Sequence, residues 1–144
     1  MVTVTKHFGF EACHHLPNYK GACHNLHGHS YKLDVTVLGD IETDKSKSNY
    51  GMIIDFKELK KIVKEVAVDK YDHSNLNDFF ENPTAEKMVL RIADDIQNKL
   101  PKGLFVMNVK LWETESSYAE YNRSPIQLID GNLIFNPSMC KEVL

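Results

Sequence analysis

The sequence predicts an α+β fold, an antiparallel four-stranded sheet with two helices packed on one face. Three observations predict it. Segments alternating apolar and polar residues stand at both ends of the chain, at 2–38 and 104–122. Two stripes of apolar residues at helical spacing lie between them, at 56–68 and 85–100. No repeat, low-complexity tract or composition break divides the 144 residues, so 1–144 reads as a single domain able to bury a core.

The elements follow in order. Residues 2–14 alternate through Val2, Val4, Phe8 and Phe10 and predict the first strand. His15 to Asn25 is polar and carries Pro17, Asn18 and Gly21, so it reads as a loop between strands, a common place for function. The second strand runs from His27 to about Leu38. Gly39 to Tyr50 is a charged surface connection. Asp55, with Glu58 three residues on, reads as a helix cap and nothing more, opening helix one to about Val68. Asn82-Pro83 predicts the start of helix two, whose stripe is Ala85, Met88, Val89, Ile92, Ala93, Ile96 and Leu100. Pro101 and Gly103 end it. Leu104 to Thr114 and Ser117 to Asn122 are the third and fourth strands. Asp130-Gly131 between apolar runs signals a short hairpin in the tail. Helices with one apolar stripe each cover one sheet face and leave part of the other free for another subunit.

An apolar fraction of 42%, a charged fraction of 26% and a net charge of -3 describe a globular protein with no global case for nucleic acid or an anionic membrane as partner. No apolar run is long enough to span a bilayer. Met1 to Lys6 lack the apolar core of a signal peptide. Cysteines number three, Cys13, Cys23 and Cys140, and read as thiols of a reducing, cytoplasmic compartment.

The chemistry centres on His27-Gly28-His29. In an extended chain residues i and i+2 share a face, so both imidazoles point the same way, and Gly28 leaves room for a close approach to the backbone. His14, at the end of the first strand, is the best third ligand, brought alongside by antiparallel pairing. Three imidazoles plus an open position make a catalytic zinc pattern, although most lone His-x-His pairs bind nothing. Cys23, four residues before His27, is open to three readings: a thiolate base or nucleophile, a fourth structural ligand, or an inert loop thiol. Asp72-His73 suggests an acid/base relay, but neighbours in sequence rarely bond each other, and a solvated loop pair is the more frequent case. Glu113 has the chemistry to accept two parallel N–H bonds from a planar donor pair such as a guanidinium or the 2-amino and N3 edge of a pterin or guanine, and is otherwise an ordinary strand-end carboxylate.

These pieces together resemble a known family. Phe10-Glu11-Ala12-Cys13-His14-His15-Leu16-Pro17, Cys23-His24-Asn25-Leu26-His27-Gly28-His29, Gly51-Met52-Ile53-Ile54-Asp55-Phe56, Leu76-Asn77 after Asp72-His73, Asn82-Pro83-Thr84-Ala85-Glu86 and Trp112-Glu113-Thr114 occur in the order of the 6-pyruvoyltetrahydropterin synthase family. The match covers about residues 4–122, leaving 123–144 as a C-terminal extension, and Cys13 departs from the family's usual small residue. The Cys-x-x-x-His-Gly-His spacing is most similar to the bacterial branch that makes 6-carboxytetrahydropterin. The resemblance implies zinc on His14, His27 and His29, Cys23 as proton-transfer thiol, Asp72 and His73 as a second acid/base pair, and Glu113 as pterin anchor. It implies the tunnelling fold, an oligomeric barrel whose trimers pair into hexamers with sites between subunits. The implied reaction converts 7,8-dihydroneopterin triphosphate to 6-carboxytetrahydropterin, acetaldehyde and triphosphate, early in queuosine biosynthesis. The alternatives are pyruvoyl-product synthesis and a non-catalytic zinc-stabilised module with Cys23 as the fourth ligand.

Overall fold

The protein is described by a computed structural model covering residues 1–124, 126–130 and 132–135. Two long strands, β1 (Val2–His14) and β2 (His27–Gly39), pair antiparallel along their whole length, from Val2 opposite Gly39 to His14 opposite His27. β3 (Ser74–Asn75) adds two residues in parallel to the free edge of β1. On the other side β4 (Phe105–Thr114) pairs with β2, and β5 (Ser117–Asn122) with β4. The main sheet is therefore five-stranded and mixed, ordered β3-β1-β2-β4-β5, rather than the four antiparallel strands the alternation predicts. The extra strand is too short to carry an alternation of its own. It is created when the chain turns sharply at His73 (φ 56°) and lies down beside Ala12 and Cys13.

Between β2 and β4 stand the helices. α1 (Phe56–Val63) starts where the Asp55 carboxylate accepts the Lys57 N–H at 2.7 Å, which confirms the cap. A π-helical stretch, Lys64–Val68, continues it into the short α2 (Asp69–Tyr71). α3 (Ala85–Gln97) starts later than Asn82-Pro83 predicts: Thr84 is its cap, accepting the Lys87 N–H at 3.3 Å. Starting there leaves the Pro83 carbonyl outside the helix and available to another partner.

Strand alternation sorts the sheet into two faces. Phe10, Ala12, Tyr31, Leu33, Val35, Val109 and Leu111 point under α1 and α3 and meet Leu59, Val63, Met88, Ile92 and Ile96 in one continuous core. Full burial of each large aliphatic chain contributes about 1.5–3 kcal/mol. The opposite face carries cross-strand polar pairs: Thr5 with Thr36 at 2.7 Å, His7 with Asp34 at 2.6 Å, and Ser30 with Glu11 at 2.7 Å. That alternation is what an antiparallel sheet packed on one side requires. The tail hairpin is present as β6 (Ile126–Ile129) and β7 (Asn132–Phe135), with Asp130 at positive φ in the turn; Cys140 lies outside the described residues. Among the described residues, no helix is long and apolar enough to cross a membrane.

Candidate metal centre

The hydrophobic ladder of the covered face does not end in carbon. Beyond Phe10 and Tyr31 the same face continues as His14 on β1 and His27 and His29 on β2, because 10, 12 and 14 alternate in step with 31, 29 and 27. His14 is only 1% exposed. The three rings meet edge to face, with centroids 4.6, 4.8 and 5.1 Å apart, and one nitrogen from each lies within 4.8 Å of the others. Among the described residues, this is the group of side chains placed to hold a metal.

Hydrogen bonds settle which nitrogens face inward. His14 Nδ1 lies 2.8 Å from the Pro83 carbonyl, and His27 Nδ1 lies 2.7 Å from the Asn25 carbonyl. A carbonyl only accepts, so each Nδ1 carries a proton and donates, and each ring turns its Nε2 inward, the nitrogen that offers a lone pair when a metal is bound. These two Nε2 atoms stand 3.1 Å apart, and buried His29 Nε2 has no hydrogen-bond partner. Facing lone pairs repel unless a cation or proton lies between them. A tetrahedral zinc with bonds near 2 Å spaces its nitrogens by roughly 3.3 Å. The residues present fit such an ion. Burial holds the His29 imidazole below its ordinary value of 6.5, with His14 and His27 acting in the same direction and Glu113 opposing them. The neutral imidazole is the form that binds metal.

Glu113 joins this cluster from β4. Leu111 pairs with Leu33, so Glu113 falls beside Tyr31 on the covered face, and its Oε1 lies 3.5 Å from His29 Nε2. Burial, with the nearby Glu113 and Cys13 charges, pushes the Tyr31 phenol well above its ordinary range. Glu113 also lines a cavity of about 390 Å³ between the first turn of α3, β5 and the loop after β1.

Cys23 stands apart from the three nitrogens. It sits half-buried in a 3-10 turn (Ala22–His24), and its carbonyl accepts the Leu16 N–H at 2.8 Å, closing the loop. It is not part of the ligand cluster. Asp72 and His73 do bond each other, at 3.0 Å from Oδ2 to Nδ1. The left-handed backbone of His73 (φ 56°) folds its ring back onto the preceding carboxylate, a conformation that sequence neighbours rarely adopt. The main chain of Glu11 clamps the pair: its N–H donates to Asp72 Oδ1 at 2.9 Å, and its carbonyl accepts the His73 N–H at 2.6 Å. The Glu11 N–H and then the His73 ring hold the Asp72 carboxyl below its usual range. His73 opens onto a groove of about 460 Å³ at the sheet edge, shared with Glu11, Cys13 and Ser30 and with His29 of the imidazole cluster. Gly28 also lines it, yet a Cβ there would meet only the Ala12 carbonyl at 3.5 Å, so strand packing alone does not demand glycine.

The sequence gives no sign of the supports that orient these groups. Asn77 grips the main chain of His15 twice, accepting its N–H and donating to its carbonyl, both at 2.9 Å. The Pro83 carbonyl orients His14 from 69 residues away. Such contacts exist only once the fold has formed.

A family model described as 6-pyruvoyl tetrahydropterin synthase matches residues 3–124. A Haemophilus influenzae protein named 6-carboxy-5,6,7,8-tetrahydropterin synthase is 35% identical, over 84% of this chain and 99% of its own. A Pyrococcus furiosus dihydroneopterin monophosphate aldolase is 40% identical over 61% of this chain and 70% of its own. The solved structure of Caenorhabditis elegans 6-pyruvoyl tetrahydropterin synthase superposes with a TM-score of 0.72 at 26% identity, covering 85% of this chain and 96% of that one. Covered-face histidines, a sheet of the same shape and a match over nearly the whole core agree: the chain belongs to the 6-pyruvoyl tetrahydropterin synthase family.

Proposed function

We propose that this protein is a zinc-dependent 6-carboxy-5,6,7,8-tetrahydropterin synthase, a lyase of the cytoplasm acting on 7,8-dihydroneopterin triphosphate in queuosine biosynthesis. The observation that carries the reading is the convergence of His14, His27 and His29, two of them locked with Nε2 inward, beside the carboxylate of Glu113. His14, His27 and His29 would hold the zinc, which supplies a Lewis acid that acidifies the side-chain hydroxyls and the adjoining C–H of the substrate.

The chain's own groups do the rest. Glu113 accepts two N–H bonds from the 2-amino and N3 edge of the pterin and so fixes the side chain toward the imidazoles. Cys23, as thiolate, takes a proton on one face of that side chain. His73 moves protons on the other face, its Nδ1–H committed to Asp72 and its Nε2 left to react. His73 stands at the β3 edge in a groove lined mainly by outward-facing residues, which His29 of the imidazole triad also borders. The family resemblance implies sites completed by the Asp72–His73 pair of a neighbouring chain, in a barrel of trimers paired as a hexamer.

Incubating the purified protein with dihydroneopterin triphosphate, with and without a chelator, should give 6-carboxytetrahydropterin and acetaldehyde only when metal is present. A pyruvoyl product would move the assignment to the branch of the Caenorhabditis elegans relative. Cys23→Ala should keep the zinc and lose activity by about 10²–10⁴-fold. Loss of zinc in that variant would instead make Cys23 a ligand and favour a non-catalytic module.

A further inference from the structure

The cavity beside Glu113 has an aromatic wall that the reaction scheme does not use. We infer that Tyr19 is the stacking residue of this pocket, a specificity-determining side chain that holds the flat ring of the pterin while Glu113 holds its edge. The inference rests on the reading of Glu113 as the anchor of a pterin.

Four observations carry it. First, Tyr19 and Glu113 line the same cavity of about 390 Å³, together with Leu16, Thr84 and Ser117. That size is within the range of pockets that enclose small planar ligands. Second, Tyr19 is 53% exposed, so its ring is not consumed by the core. A large aromatic left open toward a cavity that carries the Glu113 and Glu86 carboxylates is arranged for a flat, heteroatom-rich partner. Third, the loop bearing it is braced. The Leu16 N–H donates to the Cys23 carbonyl at 2.8 Å, and the Tyr19 N–H donates to the Leu16 carbonyl at 3.2 Å. Fourth, Gly21 makes room for the ring. A Cβ at position 21 would stand 2.7 Å from Tyr19 Cε1 and 3.3 Å from Cδ1, so any side chain there pushes the phenol out of place. The loop thus presents Tyr19 to the ring and Cys23 to the side chain from one short brace.

The test is calorimetric binding of 7,8-dihydroneopterin, without the triphosphate, to the zinc-loaded protein, with zinc content measured alongside. Aromatic–base stacking is worth about 1–3 kcal/mol on truncation. Tyr19→Ala should therefore weaken binding roughly tenfold or more with zinc unchanged, while Tyr19→Phe should bind as the wild type does. Gly21→Ala should reproduce part of the loss although Tyr19 is intact. In turnover the Tyr19→Ala defect should appear mainly in KM, because the ring is held equally before and during the reaction. Wild-type binding in Tyr19→Ala overturns the inference and leaves the pterin reading standing. Failure of the wild-type protein to bind the pterin overturns both.

Discussion

At the scale of single residues, two of the three imidazoles are held in place by the main chain. His14 and His27 have each given one nitrogen to a main-chain carbonyl, so what remains is a lone pair of fixed direction. Replacing His27 by Ala should reduce zinc content to background in metal analysis while far-UV circular dichroism stays unchanged, because His27 belongs to the ligand end of the strand rather than to the core. Asp72 makes a second case. Its folded pKa is lowered from 3.8, first by the Glu11 N–H and then by His73, so its contribution to stability is complete above the ordinary carboxylate range. That contribution is lost as pH falls through the lowered folded value. The melting temperatures of wild type and Asp72→Asn should therefore differ at pH 5 and above and converge as the medium is acidified below 3.8. The residue types were legible in the sequence, since His14, His27, His29 and Glu113 all stand where alternation and spacing put them. Their orienters were not, because the Pro83 carbonyl and the Asn77 side chain reach their partners across more than sixty residues of chain. The bond between Asp72 and His73 was argued against for a sound reason, the geometry of neighbouring residues, and a single left-handed residue supplies the exception.

At the scale of elements, period-two and helical patterning carried the reading. β1 and β5 begin and end at the residues the alternation indicates. The misses fall where patterning is silent. β3 is two residues long, too short for any period to register. The start of α3 moved from Pro83 to Ala85 because a proline at the first helical position is a preference, whereas the Pro83 carbonyl is engaged by a buried imidazole. That engagement couples the helix to the metal site. Thr84→Ala should cost about 1 kcal/mol of stability in chemical denaturation, the ordinary price of a cap. It should also loosen zinc more than an equally destabilising core change such as Ile92→Val, because the lost cap lies next to the carbonyl that orients His14.

At the scale of the whole molecule, the sheet is unfinished. β3 covers only Ala12 and Cys13 on one edge, and β5 is the last strand on the other. Open edges of this length are a template for pairing with another chain. Light scattering should give a mass that is a multiple of the chain, consistent with three or six copies, and a monomer would contradict the barrel. If sites span chains, Cys23→Ala and His73→Ala proteins, each inactive alone, should recover about a quarter of wild-type activity when unfolded together and refolded as a one-to-one mixture, since one site in four then draws both intact residues. No recovery would place the whole reaction within one chain. Alternation predicted a sheet face left free for another subunit, but not these open edges, because edges are properties of a finished sheet.

The pairing of β1 with β2 has one last consequence. Aliphatic ladder and imidazole cluster are successive rungs of one side of one ribbon, with Leu33, Tyr31, His29 and His27 facing Phe8, Phe10, Ala12 and His14 in turn. Gain or loss of a single amino acid between His29 and Leu33 would turn either the oily rungs or the nitrogen-bearing ones out into water. Natural variants of this chain should therefore tolerate no insertion or deletion along that stretch of ribbon.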